Sequence, residues 1–171
     1  LIVQLDREVK AGEAATLIID YVITKPKHGL HFVLPDASEK NQPRMVWTQS
    51  EPEYAHYWFP CIDSPSDRLT SEIAATAPKE YFVLSNGTLE SKKLNPDGTQ
   101  TWHWKQAKSH VPYLFSVVAG EFDAQILPVL ARRMQRGGPH VHLRAIERRG
   151  FHVRVRRRRR SSGDWSIVIS F

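Results

Sequence analysis

The side chains best able to do chemistry are concentrated in residues 47–68, WTQSEPEYAHYWFPCIDSPSDR. Glu51, Asp63 and Asp67 supply carboxylates that could bind a cation or transfer protons, and the Cys61 thiol could act as a nucleophile or metal ligand. Cys61 is the only cysteine of the chain, which favours a small, buried side chain. By composition alone, Glu51 is expected to be a solvated loop carboxylate.

Other candidate groups lie outside this segment. His140 and His142 form a His-x-His pair that could chelate a metal on a strand, but no third ligand follows at a recognisable spacing. Trp102 and Trp104 could stack on bases or sugars, although their alternation favours one buried strand face. The sequence therefore predicts no metal site and no catalytic group in this chain.

The arginine run Arg156–Arg160 is the strongest competing signal, because five successive guanidinium groups can neutralise phosphates. Residues 1–131 carry a net charge of −4, whereas residues 132–171 contain 12 arginines, no lysine and two acids, for a net charge of +10. A reading-frame shift in G+C-rich coding DNA generates such arginine-rich, patternless sequence. We therefore expect residues 124–171 to form a basic tail that is disordered or frame-shifted, and we rank nucleic-acid binding below that hypothesis.

The elements that must position the candidate residues are strands. Apolar, β-branched runs at 14–23, 30–34, 45–48, 72–77, 81–84 and 112–119, with an alternating run at 99–105, are separated by turn residues such as Asn86-Gly87 and Asn95–Gly98. No helical periodicity is sustained in residues 1–123. This pattern predicts an all-β fold, an antiparallel β-sandwich or saddle-like sheet.

The composition is that of a globular protein and excludes both a transmembrane helix and a disulfide-stabilised fold. Hydrophobic residues make up 41% of the 171 residues and charged residues 25%, as in globular proteins. No apolar run approaches the roughly 20 residues of a transmembrane helix, so we expect no membrane partner. The single cysteine rules out an intrachain disulfide and leaves the compartment undecided.

Two ordered motifs make residues 1–123 resemble the N-terminal domain of M1 zinc aminopeptidases. Thr48-Gln49-Ser50-Glu51 is similar to the family's Thr-Gln-x-Glu element, and residues 59–65, FPCIDSP, are similar to its Phe-Pro-Cys-x-Asp-x-Pro element. Ala55-His56 stands where the family commonly has Ala-Arg, and Asp63-Ser64-Pro65 where it has Asp-Glu-Pro. The family domain begins some strands before the position of Leu1, so the resemblance implies a fragment that is incomplete at the front.

The resemblance implies a role for two residues. Glu51 would bind the free α-amino group of a peptide substrate, and Gln49 would line the same pocket. A partly desolvated carboxylate suits this task, since it forms a charge-assisted hydrogen bond with an ammonium group. Asp63 and Asp67 would be structural, fixing a loop through backbone hydrogen bonds.

The same resemblance implies that the chain lacks the catalytic machinery. The family's zinc is held by a His-Glu-x-x-His helix, which does not occur in these 171 residues. Zinc would belong to the parent enzyme, and the chain would pack against a missing catalytic domain of the same protein. The alternative of a different class is a non-catalytic, M1-like scaffold or interaction domain.

Overall fold

A computed structural model describes residues 2, 4–5, 7–11, 13, 15–24, 26–126, 141–145, 153–159 and 165–170. For residues 123–126 and the three later segments, the description is of the backbone. Twelve strands lie in these ranges: β1 Ile18–Ile23, β2 Gly29–Val33, β3 Met45–Gln49, β4 Leu69–Pro78, β5 Phe82–Ser85, β6 Thr88–Leu94, β7 Thr99–His110, β8 Val117–Gly120, β9 Phe122–Ile126, β10 Val141–Ala145, β11 Val153–Arg159 and β12 Trp165–Ser170.

The strands form three sheets, and the all-β prediction is confirmed. The large sheet has the order β1-β11-β12-β4-β7-β6, the small sheet β2-β3-β8-β5, and β9 pairs with β10. All described pairings are antiparallel except that of β12 with β4. Two 3₁₀ turns, Ala55–Tyr57 and Pro112–Leu114, are the helical segments of the described residues, and no helix among these residues could span a membrane.

One core joins the inner faces of the large and small sheets. Period-two alternation along β4 buries Ile73, Ala75 and Ala77, and the paired strand β7 buries Trp102 and Trp104. The small sheet, the loop after β3 and the segment before β8 contribute Leu30, Val46, Trp58, Phe59, Val83, Phe115, Val117 and Ala119. The two tryptophans are therefore core residues, as their alternation predicts.

Several boundaries differ from the sequence prediction. The segment 112–119 was expected to be one strand, but it begins with a 3₁₀ turn and only Val117–Gly120 pairs as β8. Strand β6 was not predicted, because all seven of its side chains are exposed and the sequence TLESKKL lacks apolar alternation. Asn86-Gly87 is no hairpin turn, since β5 and β6 lie in different sheets.

The arginine-rich segment contributes backbone to two of the sheets. Strand β11 pairs with β1 and β12, and β12 lies beside β4. The β-branched residues of 153–159 and 165–170 and the open edge of β4 favour such pairing. The hypothesis that residues 124–171 form a disordered or frame-shifted tail stays a prediction. Because β9 runs through residue 123, the domain boundary at 123/124 stays a prediction.

Candidate functional site

Strand β3 presents Gln49 on the outer face of the small sheet. Val46 is fully buried, while Trp47 and Gln49, on the opposite face, are exposed. The register of β2 places Gly29 opposite Gln49 and His31 opposite Trp47, and the rings of this second pair stack at 4.5 Å. The Gln49 side chain forms no hydrogen bond with the described residues.

Ser50 is the buried residue that fixes the start of the next turn. Only 1% of its surface is exposed, and its hydroxyl accepts a hydrogen bond from Trp58 Nε1 at 2.9 Å. Its carbonyl accepts a second hydrogen bond from the Tyr54 N–H at 2.7 Å. These two bonds close residues 50–58 into a compact turn, which we call the Glu51 turn.

The far end of the Glu51 turn is held by Trp58. This side chain is fully buried and lies edge-on to Phe59, and its carbonyl accepts a hydrogen bond from the Tyr21 hydroxyl at 2.8 Å. Gly29 lies against the turn from the other side. With φ of +79°, Gly29 has no room for a Cβ, which would overlap the Tyr54 carbonyl oxygen and lie 2.9 Å from Trp58 Cδ1.

The Glu51 side chain projects from this fixed turn into solvent. Glu51 and Glu53 are both exposed, and neither carboxylate is hydrogen-bonded to the residues that the structure describes. A carboxylate that these residues leave unpaired, on a turn held at both ends, is available to bind an external cationic group.

Asp63 is engaged within the protein, as its expected structural role requires. Its Oδ2 accepts a hydrogen bond from the His56 backbone N–H at 3.0 Å and lies 2.7 Å from His56 Nδ1. His56, which stands at the motif's arginine position, therefore links the Glu51 turn to the following loop. Asp67 contributes a backbone N–H to the Ser64 carbonyl, so the two aspartates form no catalytic pair in this arrangement.

An aromatic cluster beside Glu51 was not found from the sequence. His28 stacks on Tyr54 at 4.5 Å with 19° between the ring planes, and Tyr57 lies edge-on to both rings, at 5.2 Å and 6.0 Å. His28 and Tyr57 are exposed. The Tyr54-x-x-Tyr57 spacing was the available signal, but only the fold brings His28 to it.

The other candidate residues, namely Cys61, the histidine pair and the arginine run, form no binding or catalytic site among the described residues. Cys61 packs against the core but is half-buried, where the sequence predicts a buried side chain. His140 and Arg160 lie outside the described residues, and His142 and Arg156–Arg159 are described by backbone within β10 and β11. Among the described residues, no group of three or more His, Cys, Asp or Glu could hold a metal ion.

Comparison with known proteins identifies relatives of the part of the chain that contains this site. The sequence profile of the peptidase M1 N-terminal domain matches residues 1–114. Aminopeptidase M1-A of Oryza sativa subsp. japonica is 28% identical over 125 residues, which cover 72% of this chain and 14% of the relative. Transcription initiation factor TFIID subunit 2 of Drosophila melanogaster is 26% identical over 125 residues, covering 70% of this chain and 10% of that protein.

A solved structure of an M1 zinc metallopeptidase from Deinococcus radiodurans is also similar, with a TM-score of 0.46 and 23% identity. The match covers 49% of this chain and 19% of the metallopeptidase chain. The chain thus spans between about a tenth and a fifth of the length of these three relatives.

Proposed function

Because this chain belongs to the family of peptidase M1 N-terminal domains, we propose that it presents Glu51 to the α-amino group of a peptide substrate in a zinc-dependent aminopeptidase. The reaction would be the removal of N-terminal residues from peptides. Family membership is carried by more than half of the chain, whereas the role of Glu51 rests on its geometry and on the Thr48–Glu51 motif.

One observation carries the proposal: Glu51 is an exposed carboxylate, unbonded within the described part of the chain, on a turn that is fixed at both ends. The bond from Trp58 Nε1 to Ser50 and the bond from Tyr21 to the Trp58 carbonyl hold the backbone beneath it. An ammonium group that binds there meets a carboxylate whose backbone is already ordered, so less conformational entropy is lost on binding.

Gln49 supports the same role. It is exposed, unbonded within the described residues, and separated from Glu51 only by the buried Ser50. Its amide oxygen is a neutral acceptor that can take a second N–H of the ammonium group, while its amide N–H₂ can donate to the substrate's first carbonyl. Together the two side chains distinguish a free amino terminus from an internal peptide bond, which has neither the charge nor the extra N–H donors.

Peptide hydrolysis itself would take place on a further domain of the same protein, against which this domain packs. The described residues bring together no metal-binding group, so they do not fit the zinc of the M1 metallopeptidases. The role of this chain would be to bind and orient the amino terminus of the substrate. Binding there fixes the distance from that terminus to the peptide bond that is cut.

The likeness to TFIID subunit 2 favours a second candidate, a non-catalytic domain that contacts other proteins. Such a domain has no need of a carboxylate that recognises ammonium groups. Recognition of a free amino group therefore separates the two candidates.

The experiment is a titration of the isotope-labelled chain with leucinamide and with N-acetyl-leucinamide, followed by NMR. We expect leucinamide to perturb the signals of residues 49–54, and acetylation to abolish the effect because it removes the ammonium charge. Glu51→Gln should abolish the response, whereas the matched variant Glu53→Gln should retain it. Equal responses to the two ligands, or none to either, would contradict the proposal.

A further inference from the structure

We infer that the aromatic cluster of His28, Tyr54 and Tyr57 is the subsite for the side chain of the substrate's N-terminal residue, and that it selects aromatic side chains. This inference rests on the proposed role of Glu51 and adds the class of substrate. It starts from the shape of the cluster, since two stacked rings and one edge-on ring form a corner with two walls.

The ring geometry suits a flat guest. His28 and Tyr54 are nearly parallel, with 19° between their planes, and Tyr57 stands at 81° to His28 and 66° to Tyr54. Aromatic pairs prefer offset-stacked and edge-to-face contacts. A fourth ring, from the substrate, that enters this corner can stack on one wall and meet the edge of the other, which an aliphatic side chain cannot do.

The fold places the cluster beside the proposed amino-group anchor. Gln49 and Gly29 are directly opposed across β3 and β2, where Cα atoms lie about 5 Å apart, and His28 is the residue before Gly29. The Tyr54 carbonyl lies against Gly29, and Tyr54 follows Glu51 by three residues within one turn. The cluster and the two polar side chains therefore occupy the same end of the β2–β3 pair.

Exposure and charge also fit a binding role. Tyr57 is 36% exposed although it carries a large ring, and His28 is exposed as well. Glu51 and Glu53, which are both exposed, precede Tyr54 by three residues and by one residue in the same turn. An α-ammonium group attached to an aromatic residue offers the two features that this surface complements, a positive charge and a flat apolar face.

The test compares phenylalaninamide, leucinamide and alaninamide as ligands of the full chain, with each dissociation constant measured by NMR titration. We expect phenylalaninamide to bind about 3- to 10-fold more tightly than alaninamide, the amount expected of one aromatic contact, with leucinamide between them. Tyr57→Leu should remove the preference for phenylalaninamide, and Tyr57→Phe should keep it, since the ring remains. Leu94→Ala, a change of an exposed residue at the edge of the large sheet, is the control.

The outcomes separate this inference from the proposed function. If acetylation or Glu51→Gln abolishes binding while Tyr57→Leu leaves the preference intact, the amino-group anchor stands and the aromatic subsite is wrong. If Tyr57→Leu lowers the melting temperature without changing the preference, the cluster is structural and the inference is likewise overturned. If acetylation has no effect, the proposed function itself is wrong.

Discussion

Two turns of this protein, both rich in polar residues, use their carboxylates in opposite ways. In the hairpin turn Asn95–Gly98 between β6 and β7, Asp97 accepts hydrogen bonds from the Thr99 N–H at 2.9 Å and the Thr99 hydroxyl at 2.6 Å. These bonds, the hydroxyl first, lower the pKa of Asp97. In the Glu51 turn, the Glu51 carboxylate has no partner among the described residues, and the turn is held instead by the Ser50 hydroxyl and the Trp58 indole.

The difference lies in where each turn obtains its stability. The hairpin turn is self-contained, because Asn95 and Asp97 bond to residues no more than six positions away. The Glu51 turn is closed by the hydrogen bonds to Ser50 and is also held by distant groups: Tyr21 lies 37 positions from Trp58, and Gly29 lies on another strand. A turn held by groups other than its own carboxylate can leave that carboxylate unbonded, and a positioned, unbonded carboxylate is what a binding site needs.

The strongest test of this comparison is the same substitution in both regions. Gly29 and Gly98 have similar positive φ angles, +79° and +82°, but a Cβ at Gly29 would overlap the Tyr54 carbonyl, whereas nothing lies within 4 Å of a Cβ at Gly98. Gly29→Ala should therefore cost about 3–5 kcal/mol, the sum of backbone strain and overpacking, and Gly98→Ala only about 1–2 kcal/mol.

Urea denaturation of the two glycine variants measures these free energies of unfolding. Equal losses in the two variants would show that the Glu51 turn does not depend on its contact with β2.

The second prediction concerns activity in a complete peptidase that contains this domain. Glu51→Ala should lower kcat/KM about 30- to 1,000-fold, equivalent to 2–4 kcal/mol, because the charge-assisted hydrogen bond to the substrate is lost. The free energy of unfolding should change by less than about 1 kcal/mol, since the carboxylate has no described partner. Glu53→Ala and Asp97→Ala are the controls, and wild-type kcat/KM in the Glu51→Ala enzyme would rule out the anchor.

A third, smaller effect is expected at Ser50. Ser50→Ala leaves the buried Trp58 indole N–H without its acceptor, which should cost about 1–3 kcal/mol of stability. Trp58→Phe in the Ser50→Ala background should recover part of this loss, because neither side chain then carries an unpaired polar group. A double variant no more stable than the single variant would show that the hydrogen bond is not the reason for the loss.

The smallest effect should be the acid dependence of the hairpin turn. The pKa of Asp97 is lower in the folded chain than in the unfolded chain, so its contribution to stability is present above the unfolded pKa and is lost as the pH falls through the folded one. Thermal unfolding from neutral to acid pH should show a shallower dependence in Asp97→Asn than in the wild type. Superimposable curves would mean that Asp97 contributes nothing to folding.

Much of the fold could be predicted because several strands and turns are specified by neighbouring residues in the sequence. The apolar, β-branched run at 14–23, the alternation along 99–105 and the turn residues at 95–98 predict strands and a turn without knowledge of their neighbours. Strand β6 could not be predicted, because its exposed side chains show no apolar alternation. Its stability comes instead from backbone pairing with β7. The same holds for the length of β4 and β7, whose ends extend along each other beyond the apolar run.

The sequence by itself determined that the chain is all-β, that Trp102 and Trp104 are buried, and that Gln49 and Glu51 are the residues to examine, because pattern and motif are properties of neighbouring positions. Only the tertiary structure decided which carboxylates remain unbonded and that His28 meets Tyr54 and Tyr57. The contacts of His28 with these tyrosines, and of Tyr21 with Trp58, join residues far apart in the chain. No local pattern of residues specifies which of those strands will lie side by side.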